Sequence, residues 1–293
     1  MDNRLLSSIC TDKELPHVRE WLRNKPVFPI PMVSFKTSLA INKLYISTRI
    51  HEIDVKDRNS SVLELDSLLV NPPRKCLIDI SGKFASGKTQ MLLKMAATFT
   101  CVYIGTEDRF RLERFKAMGG QDIYLTTTYC QIQFISIIEN LDDVLSKHEV
   151  RAIVIDSMHL IRDPLPARHV GKLLLQFAVK YDISVVFVNQ VRSSMSDTFH
   201  SSFQLENVKS ITPVAMNEFI DHKLFLHNYK NECKPIGFKD ISSDRILSVW
   251  MSRTHPSLCD TIDENNRNNY ISSRCKSFEI NGTGVVIKDI DFK

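Results

Sequence analysis

The chain has 293 residues, of which 43% are hydrophobic and 25% are charged, with a formal net charge of +4. This composition is ordinary for a globular protein and excludes a collagen-like or strongly charged, disordered chain. The mildly basic balance permits contact with nucleic acid but does not by itself indicate it. No run of about 18 apolar residues occurs, so the sequence predicts no membrane span. The first residues also lack the charged-then-apolar pattern of a signal peptide.

The N-terminal part, residues 1–37, is predicted to form a short helix and an extended linker. The helix is indicated by apolar residues at helical spacing, namely Leu15, Val18 and Leu22. The linker is indicated by Pro26, Pro29 and Pro31. We expect residues 38–293 to form one α/β domain. Within it, Ser61–Leu69 predicts a short helix that ends before Asn71-Pro72-Pro73.

Strands and helices are predicted to alternate from Cys76 onward. Short, nearly continuous apolar runs, typical of parallel strands buried on both faces, occur at 76–81, 101–106, 151–156 and 184–189. Helical patterns lie near 89–99, 110–118, 134–147 and 167–181. Further strands are indicated around Phe225, Ile246–Met251, Phe278–Ile280 and Val285–Ile290. The fold class is therefore α/β, a mostly parallel twisted sheet with helices on both faces, extended by C-terminal strands.

A phosphate-binding loop lies between the first of these strands and its helix. Its residues are Gly82, Lys83, Phe84, Ala85, Ser86, Gly87, Lys88 and Thr89, with the spacing G-x-x-x-x-G-K-[ST]. The backbone N–H groups of such a loop, and of the helix that begins at its end, bind phosphate oxygens. Lys88 would neutralise the β- and γ-phosphates, and Thr89 would be a ligand of Mg²⁺. The motif in this context predicts nucleotide binding.

Three polar side chains follow other strands at the edge of the sheet where open α/β folds bind ligands. Asp156 ends one strand and would hold Mg²⁺, unless it only caps the following segment. Glu107 would orient a water for attack on the γ-phosphate, the alternative being a surface acid that begins the next helix. Gln190 would sense the γ-phosphate, the alternative being a satisfied polar group at a strand end.

Four segments in this order resemble the eukaryotic RecA-like recombinases and their paralogues in homologous-recombination repair. They are Gly82–Gln90 (GKFASGKTQ), Tyr103–Phe115 (YIGTEDRFRLERF), Ile153–Ser157 (IVIDS) and Val185–Val191 (VVFVNQV). Two flanking segments also resemble the family, Ser61–Leu69 and the closing Ser277–Val285. The resemblance covers roughly residues 40–290. Within the family, Cys101–Phe110 looks most like the X-ray-repair paralogue branch.

The resemblance implies a RecA-like ATPase core with ATP and Mg²⁺ as cofactors. Carried over by position, Gly82–Gln90 contact the nucleotide, Thr89 and Asp156 serve the metal, and the catalytic roles go to Glu107, Lys88 and Gln190. Members of the family place ATP between subunits, so a partner would complete the site. Ser252–Leu258 resembles the segment that caps a neighbour's nucleotide, although Arg253 stands near the position where the family carries an acid. Nuclear residence is an expectation from the resemblance.

The sequence departs from the strand-exchange enzyme of this family in three respects. The N-terminal region is short for the helical DNA-binding domain of that enzyme. Only Met158–Pro166 separate Asp156 from the next predicted helix, and no glycine follows Gln190 until Gly237. DNA phosphates could still be contacted by Arg162, Arg168, Arg192 and Lys209, and bases by Phe199 or Phe203, the alternative being a solvated surface.

The leading hypothesis is a recombination mediator that binds ATP and, weakly, single-stranded DNA. It would act in a hetero-oligomer with the recombinase or other paralogues, assembling or remodelling recombinase filaments during DNA double-strand break repair. Phe35–Ser38 is the nearest candidate for the linker segment that docks onto a neighbouring subunit, unless Phe35 packs on its own domain. Two alternatives stay open: an autonomous DNA-dependent ATPase that forms its own strand-exchange filament, and a non-hydrolysing scaffold subunit.

Overall fold

The computed structural model describes residues 11–24, 63–107, 110–193, 208–229, 242–252, 274–282 and 284–291. The helices among them are α1 Leu15–Asn24, α2 Lys88–Thr98, α3 Leu112–Ala117, α4 Gln131–Leu145 and α5 Pro164–Lys180. The strands are β1 Cys76–Gly82, β2 Cys101–Gly105, β3 Tyr124–Thr127, β4 Ala152–Asp156, β5 Ser184–Asn189, β6 Val191–Ser193, β7 Val208–Ser210, β8 His222–Asn228, β9 Arg245–Ser252, β10 Cys275–Asn281 and β11 Gly284–Lys288. The predicted strands and helices from Cys76 onward correspond to these elements within a few residues.

Nine of the described strands form one sheet in the order β11-β10-β9-β8-β1-β5-β4-β2-β3. The six strands from β8 to β3 pair in parallel, whereas β9, β10 and β11 pair antiparallel with their neighbours. The short strands β6 and β7 form a separate antiparallel hairpin. The predicted fold class, a mostly parallel α/β sheet extended by C-terminal strands, is confirmed.

The central strands are buried on both faces because helices cover the sheet from each side. Every residue of β1, β2 and β5 is buried, which explains their continuous apolar sequences. Side chains such as Ile78 and Ile80 pack with α2, α3 and the C-terminal strands. Alternate side chains such as Leu77 and Phe187 pack with α4 and α5 on the other face.

Two features of the fold differ from the sequence-based expectations. Residues 65–70 form consecutive turns rather than a helix, with the Ser67 carbonyl accepting hydrogen bonds from the N–H groups of Val70 and Asn71. Four leucines in and just before these turns are buried, namely Leu63, Leu65, Leu68 and Leu69. Strand β3 and the β6–β7 hairpin were also not expected, because their short sequences lack the apolar runs that mark the buried strands.

The N-terminal helix predicted from Leu15, Val18 and Leu22 is present as α1, and Val18 is fully buried. The linker with its three prolines, and the docking candidate Phe35–Ser38, lie outside the described residues. The division into residues 1–37 and 38–293 therefore stays a prediction. Within the part of the chain described, none of the helices combines the length and apolar character that a membrane crossing requires.

Candidate functional site

The phosphate-binding loop connects β1 to α2 and has no room for side chains at its two glycines. A Cβ atom at Gly82 would lie 2.6 Å from Ser86 Oγ and 2.7 Å from the Leu226 carbonyl oxygen. Gly87 has φ +108, a left-handed conformation that side chains disfavour. A Cβ atom there would also lie 2.8 Å from Ile280 Cδ1. The two motif glycines are therefore required by the space around the loop and by its backbone conformation.

Lys88 and Ser86 face the interior of this loop. Lys88 Nζ donates hydrogen bonds of 2.7 Å to the carbonyl oxygens of Gly82 and Lys83. Burial lowers the pKa of Lys88, while the charges of Glu107 and Asp156 oppose that shift. The Ser86 hydroxyl is buried and has no hydrogen-bond partner among the described residues. Such an orphaned group, in the same loop as a partly buried ammonium, is suited to a ligand that carries hydrogen-bond acceptors.

Asp156 ends β4 next to the start of α2, as the sequence predicted. Its Oδ2 accepts a hydrogen bond of 2.8 Å from the hydroxyl of Tyr103, on the neighbouring strand β2. Burial raises the pKa of Asp156, and hydrogen bonds from Tyr103 and Thr89 counteract part of the rise. The structure thus brings together the two oxygen-bearing side chains, Thr89 and Asp156, that were expected to serve Mg²⁺.

Glu107 follows β2 and lines a small cleft together with Thr89, Tyr103, Arg111 and Asp156. Its Oε1 accepts a hydrogen bond of 2.5 Å from Ser157 Oγ. His159 Nδ1 lies 3.5 Å from the same oxygen. The carboxylate is partly exposed. This position suits a group that orients a water molecule at the loop.

Gln190 is exposed and directly follows β5. Its backbone carbonyl oxygen accepts a hydrogen bond of 3.0 Å from the backbone N–H of Ile211. This bond closes the base of the β6–β7 hairpin. Gln190 therefore connects the strand beside β1 to the hairpin that carries Arg192 and Lys209. The residues between β6 and β7, which include Phe199 and Phe203, lie outside the described part.

The four candidate DNA-contacting residues lie on two segments. Arg162 is exposed and lies in the short connection between β4 and α5, where its Nε donates to the His159 carbonyl at 3.4 Å. Arg168, in the first turns of α5, is paired with Glu218 at 2.7 Å. Arg192 and Lys209 are opposite each other in the β6–β7 hairpin. The connection after Asp156 is shorter than expected, because α5 begins at Pro164.

The C-terminal strands hold the loop and its helix from outside. Gln90, predicted to contact the nucleotide, accepts a hydrogen bond of 2.9 Å from Arg114 Nε. The same arginine donates to the carbonyl oxygens of Asn281 and Gly282 in the turn between β10 and β11. Phe84 is 90% exposed at the tip of the loop. The start of α2 is thus linked through Arg114 to the C-terminal strands, whereas Phe84 at the tip of the loop is exposed.

A buried polar network lies beneath the site, between β1 and β5, and it includes residues that sequence reasoning did not single out. Asp79 is 1% exposed, and its carboxylate accepts hydrogen bonds from Ser81 (3.1 Å), Asn189 (3.3 Å) and Thr212 (2.6 Å). Asn189 Nδ2 also donates to Thr212 Oγ1 at 2.7 Å. Burial raises the pKa of Asp79, and these hydrogen bonds oppose the rise.

The residues present fit a nucleoside triphosphate with Mg²⁺. The two glycines allow the tight backbone path of the loop, and the Ser86 hydroxyl and the Lys88 ammonium provide donors for phosphate oxygens. Thr89 and Asp156 provide the oxygen ligands that Mg²⁺ prefers. Sequence reasoning missed Tyr103, Ser157 and His159 at this site. Their types are common at strand ends, and only the pairing of β2 with β4 brings them to Asp156 and Glu107.

The chain is similar to known proteins in sequence and in fold. No family model matches the chain. A sequence match is the DNA repair and recombination protein RadA of Metallosphaera sedula, 27% identical over 195 residues. That match covers 54% of this chain and 58% of RadA, so the chain spans less than two thirds of the relative's length. A structural match is the crystal structure of the RadB recombinase, with a TM-score of 0.53 and 18% identity, over 73% of this chain and 90% of RadB.

The sequence match and the fold lead to the same group of proteins. The chain is similar in sequence to 58% of RadA, and it shares its fold with RadB. Neither comparison distinguishes the eukaryotic paralogues from the rest of the group. Over the matched residues the chain is homologous to the DNA repair and recombination protein RadA, and its fold is that of the RadB recombinase.

Proposed function

We propose that this protein is an ATP-binding recombinase paralogue that acts in homologous-recombination repair of DNA double-strand breaks. It works as a mediator within a hetero-oligomer that assembles or remodels recombinase filaments on single-stranded DNA. We further propose that it belongs with the eukaryotic X-ray-repair paralogues and acts in the nucleus. The homology to RadA and the sequence segment Cys101–Phe110 support this proposal.

The observation that carries the nucleotide part of the proposal is the convergence of four side chains. Lys88 and Thr89 begin α2, while Glu107 and Asp156 follow the neighbouring strands β2 and β4. The charges of Glu107 and Asp156 both influence the pKa of Lys88, which places all three in one electrostatic environment. A set of residues this complete favours retained hydrolysis over a structural relic of the site.

Each residue has a defined task in this proposal. ATP, when bound with Mg²⁺, supplies the γ-phosphoryl group that water attacks. Lys88 neutralises phosphate charge, and Thr89 and Asp156 hold the metal. Glu107 orients the water, and because positioning dominates phosphoryl transfer, its placement matters more than its basicity. Gln190 links the site to the β6–β7 hairpin through the hydrogen bond between its backbone carbonyl and the N–H of Ile211.

The connection between β4 and α5 favours a mediator over an autonomous strand-exchange enzyme. It consists of residues 157–163, a single 3₁₀ turn followed by three residues, and offers Arg162 as its exposed cation. Arg168 is already paired with Glu218. So few cations on this segment support weak rather than tight binding of single-stranded DNA.

The outer edge of the sheet supports a partner subunit. Within the described residues, β3 is the last strand of the sheet, and its outward N–H and C=O groups face no further strand. Exposed apolar side chains lie on and just after this strand, namely Tyr124, Leu125, Tyr129 and Ile132. An exposed edge with apolar residues is a template for strand addition by another chain. We propose that the recombinase or another paralogue docks here.

The experiment that tests this function is ATP turnover by the purified protein, with and without single-stranded DNA, beside the Lys88→Ala variant. We expect slow turnover that DNA stimulates and that Lys88→Ala abolishes. Binding of ATP with negligible turnover would instead indicate a scaffold or a subunit whose site a partner completes. Filaments formed by the protein alone on DNA would replace the mediator with an autonomous enzyme. Absence of nucleotide binding would refute the proposal.

A further inference from the structure

Glu107 is held by residues of a different strand. Ser157 Oγ donates to Glu107 Oε1 at 2.5 Å, and His159 Nδ1 lies 3.1 Å from Ser157 Oγ and 3.5 Å from Glu107 Oε1. Glu107 follows β2, whereas Ser157 and His159 follow β4. These strands pair in parallel, with Gly105 opposite Asp156, so their C-terminal ends place the three side chains together.

Thr106 joins the ends of β2 and β4 by hydrogen bonds. Its hydroxyl donates to the Ser157 carbonyl oxygen at 2.7 Å and accepts from the Ser157 N–H at 2.7 Å. Its oxygen also lies 3.2 Å from His159 Nδ1. Both Thr106 and Ser157 are almost fully buried. The backbone on which Ser157 and His159 stand is therefore fixed relative to Glu107.

The hydroxyl protons of Thr106 and Ser157 are both donated to other groups, and this determines the tautomer of His159. Thr106 has one hydroxyl proton, which it gives to the Ser157 carbonyl. Ser157 has one hydroxyl proton, which it gives to Glu107. Both hydroxyl oxygens can then only accept from His159, so the proton lies on Nδ1. The imidazole N–H faces Ser157, Thr106 and the carboxylate oxygen Oε1.

The two carboxylate oxygens of Glu107 therefore differ in their contacts, because Ser157 and His159 both contact Oε1. Oε1 is engaged by Ser157 and approached by the His159 N–H, which fixes the orientation of the side chain. We propose that His159 is a positioning residue for ATP hydrolysis, which through its Nδ1–H and Ser157 holds Glu107 so that Oε2 is directed at the attacking water. This inference rests on the proposed ATPase function. A partly exposed glutamate without such support samples several rotamers, and a displacement of about 1 Å can cost on the order of 100-fold in rate.

Two replacements of His159 separate a positioning role from a merely structural one. An asparagine amide reaches the place of Nδ1, whereas a glutamine amide reaches roughly that of Nε2. We expect His159→Ala to lower kcat by about 10- to 100-fold with an unchanged dissociation constant for ATP. His159→Asn should recover most of this loss, and His159→Gln should not. Thermal unfolding of each variant checks that the fold is intact, and Glu107→Gln provides the reference for a lost carboxylate.

A second measurement does not need turnover. ADP with Mg²⁺ and aluminium fluoride mimics the state in which the water is placed, and the wild-type protein should bind it more tightly than ADP alone. His159→Ala should lose that difference, and His159→Asn should keep it. Equal tightening in the wild type and in His159→Ala would overturn the inference, as would kcat values for His159→Ala within two-fold of the wild type. A wild type that binds no nucleotide would refute the proposed function instead, and with it the inference.

Discussion

At the scale of single residues, burial shifts the pKa of a histidine on β8. His227 on β8 is 3% exposed, and its ring nitrogens contact Ser248 Oγ and the Tyr229 hydroxyl, each at 2.9 Å. Burial, with a smaller effect of the Lys83 charge, lowers the pKa of His227 to about 3. The folded protein therefore keeps this imidazole neutral at pH values where the unfolded chain protonates it.

His227 should make the protein less stable in mild acid. Because its pKa is about 3 when folded and about 6.5 when unfolded, its contribution is complete above about pH 6.5 and is lost as the pH falls toward 3. Between pH 7.5 and 5.5 the loss should be about 1.4 kcal/mol. Urea unfolding at both pH values measures it. His227→Gln should remove this part of the pH dependence, and identical slopes for both proteins would contradict the assignment.

The buried Asp79 network gives a second residue-scale prediction. Thr212→Val keeps the shape of the side chain but removes the hydroxyl that donates to Asp79 and accepts from Asn189. Leaving these buried groups less satisfied should lower the free energy of unfolding by about 1–3 kcal/mol. Thr212→Ser keeps the hydroxyl and serves as the matched control, with a smaller loss. Equal losses in chemical denaturation would show that the methyl group, not the network, matters.

At the scale of elements, the sequence predicted the buried core well and the exposed elements poorly. Strands β1, β2, β4 and β5 have continuous apolar sequences because helices cover both faces, so their pattern is strong. Strand β3 has the exposed sequence Tyr124–Thr127 and is a strand only because β2 pairs with it. The sequence predicts a short helix at 61–69, but residues 65–70 form turns in which Leu65, Leu68 and Leu69 are buried.

The candidate site likewise contains residues that the sequence predicts and residues that it does not. The motif residues Lys88, Thr89, Glu107 and Asp156 were predictable because the chemistry restricts the residue types at these positions. His159 was not predictable, because a histidine after a strand indicates no particular role until its neighbours Thr106 and Glu107 are known. The pairing of two strands about 50 residues apart creates its environment, and local sequence carries no signal of it.

The hairpin of β10 and β11 constrains the phosphate-binding loop through Gly87. Gly87→Ala should weaken ATP binding and lower stability by about 1–3 kcal/mol, because φ +108 is unfavourable for alanine and its Cβ would meet Ile280 Cδ1 at 2.8 Å. Ile280→Val removes that methyl group. In the Ile280→Val background, the cost of Gly87→Ala should therefore fall but not vanish. An unchanged cost in the double-mutant cycle, measured by denaturation and nucleotide titration, would exclude the contact with the hairpin.

At the scale of the whole molecule, the proposed docking edge β3 and the candidate nucleotide site lie on different strands of the sheet. Glu107, Asp156 and Gln190 lie at or just after the C-terminal ends of adjacent parallel strands, and Lys88 follows the loop that begins at the end of β1. The two outermost strands among the described residues are β3 and β11. A partner that adds a strand at β3 would extend the sheet without covering the phosphate-binding loop, which begins at the end of β1 and is separated from β3 by the three strands β5, β4 and β2.

The β3 edge can therefore be tested separately from catalysis. Leu125 is 46% exposed, so Leu125→Lys should leave the fold and nucleotide binding intact while the charge disfavours addition of another strand. We expect co-purification with the recombinase and its paralogues, measured by quantitative mass spectrometry, to fall at least about ten-fold, the effect of about 1.4 kcal/mol. Val286→Lys is the matched control, because Val286 is 40% exposed on β11 at the opposite edge. If both variants keep their partners, docking occurs elsewhere. If light scattering shows that Leu125→Lys instead dissociates a homo-oligomer, β3 binds a second copy of this chain.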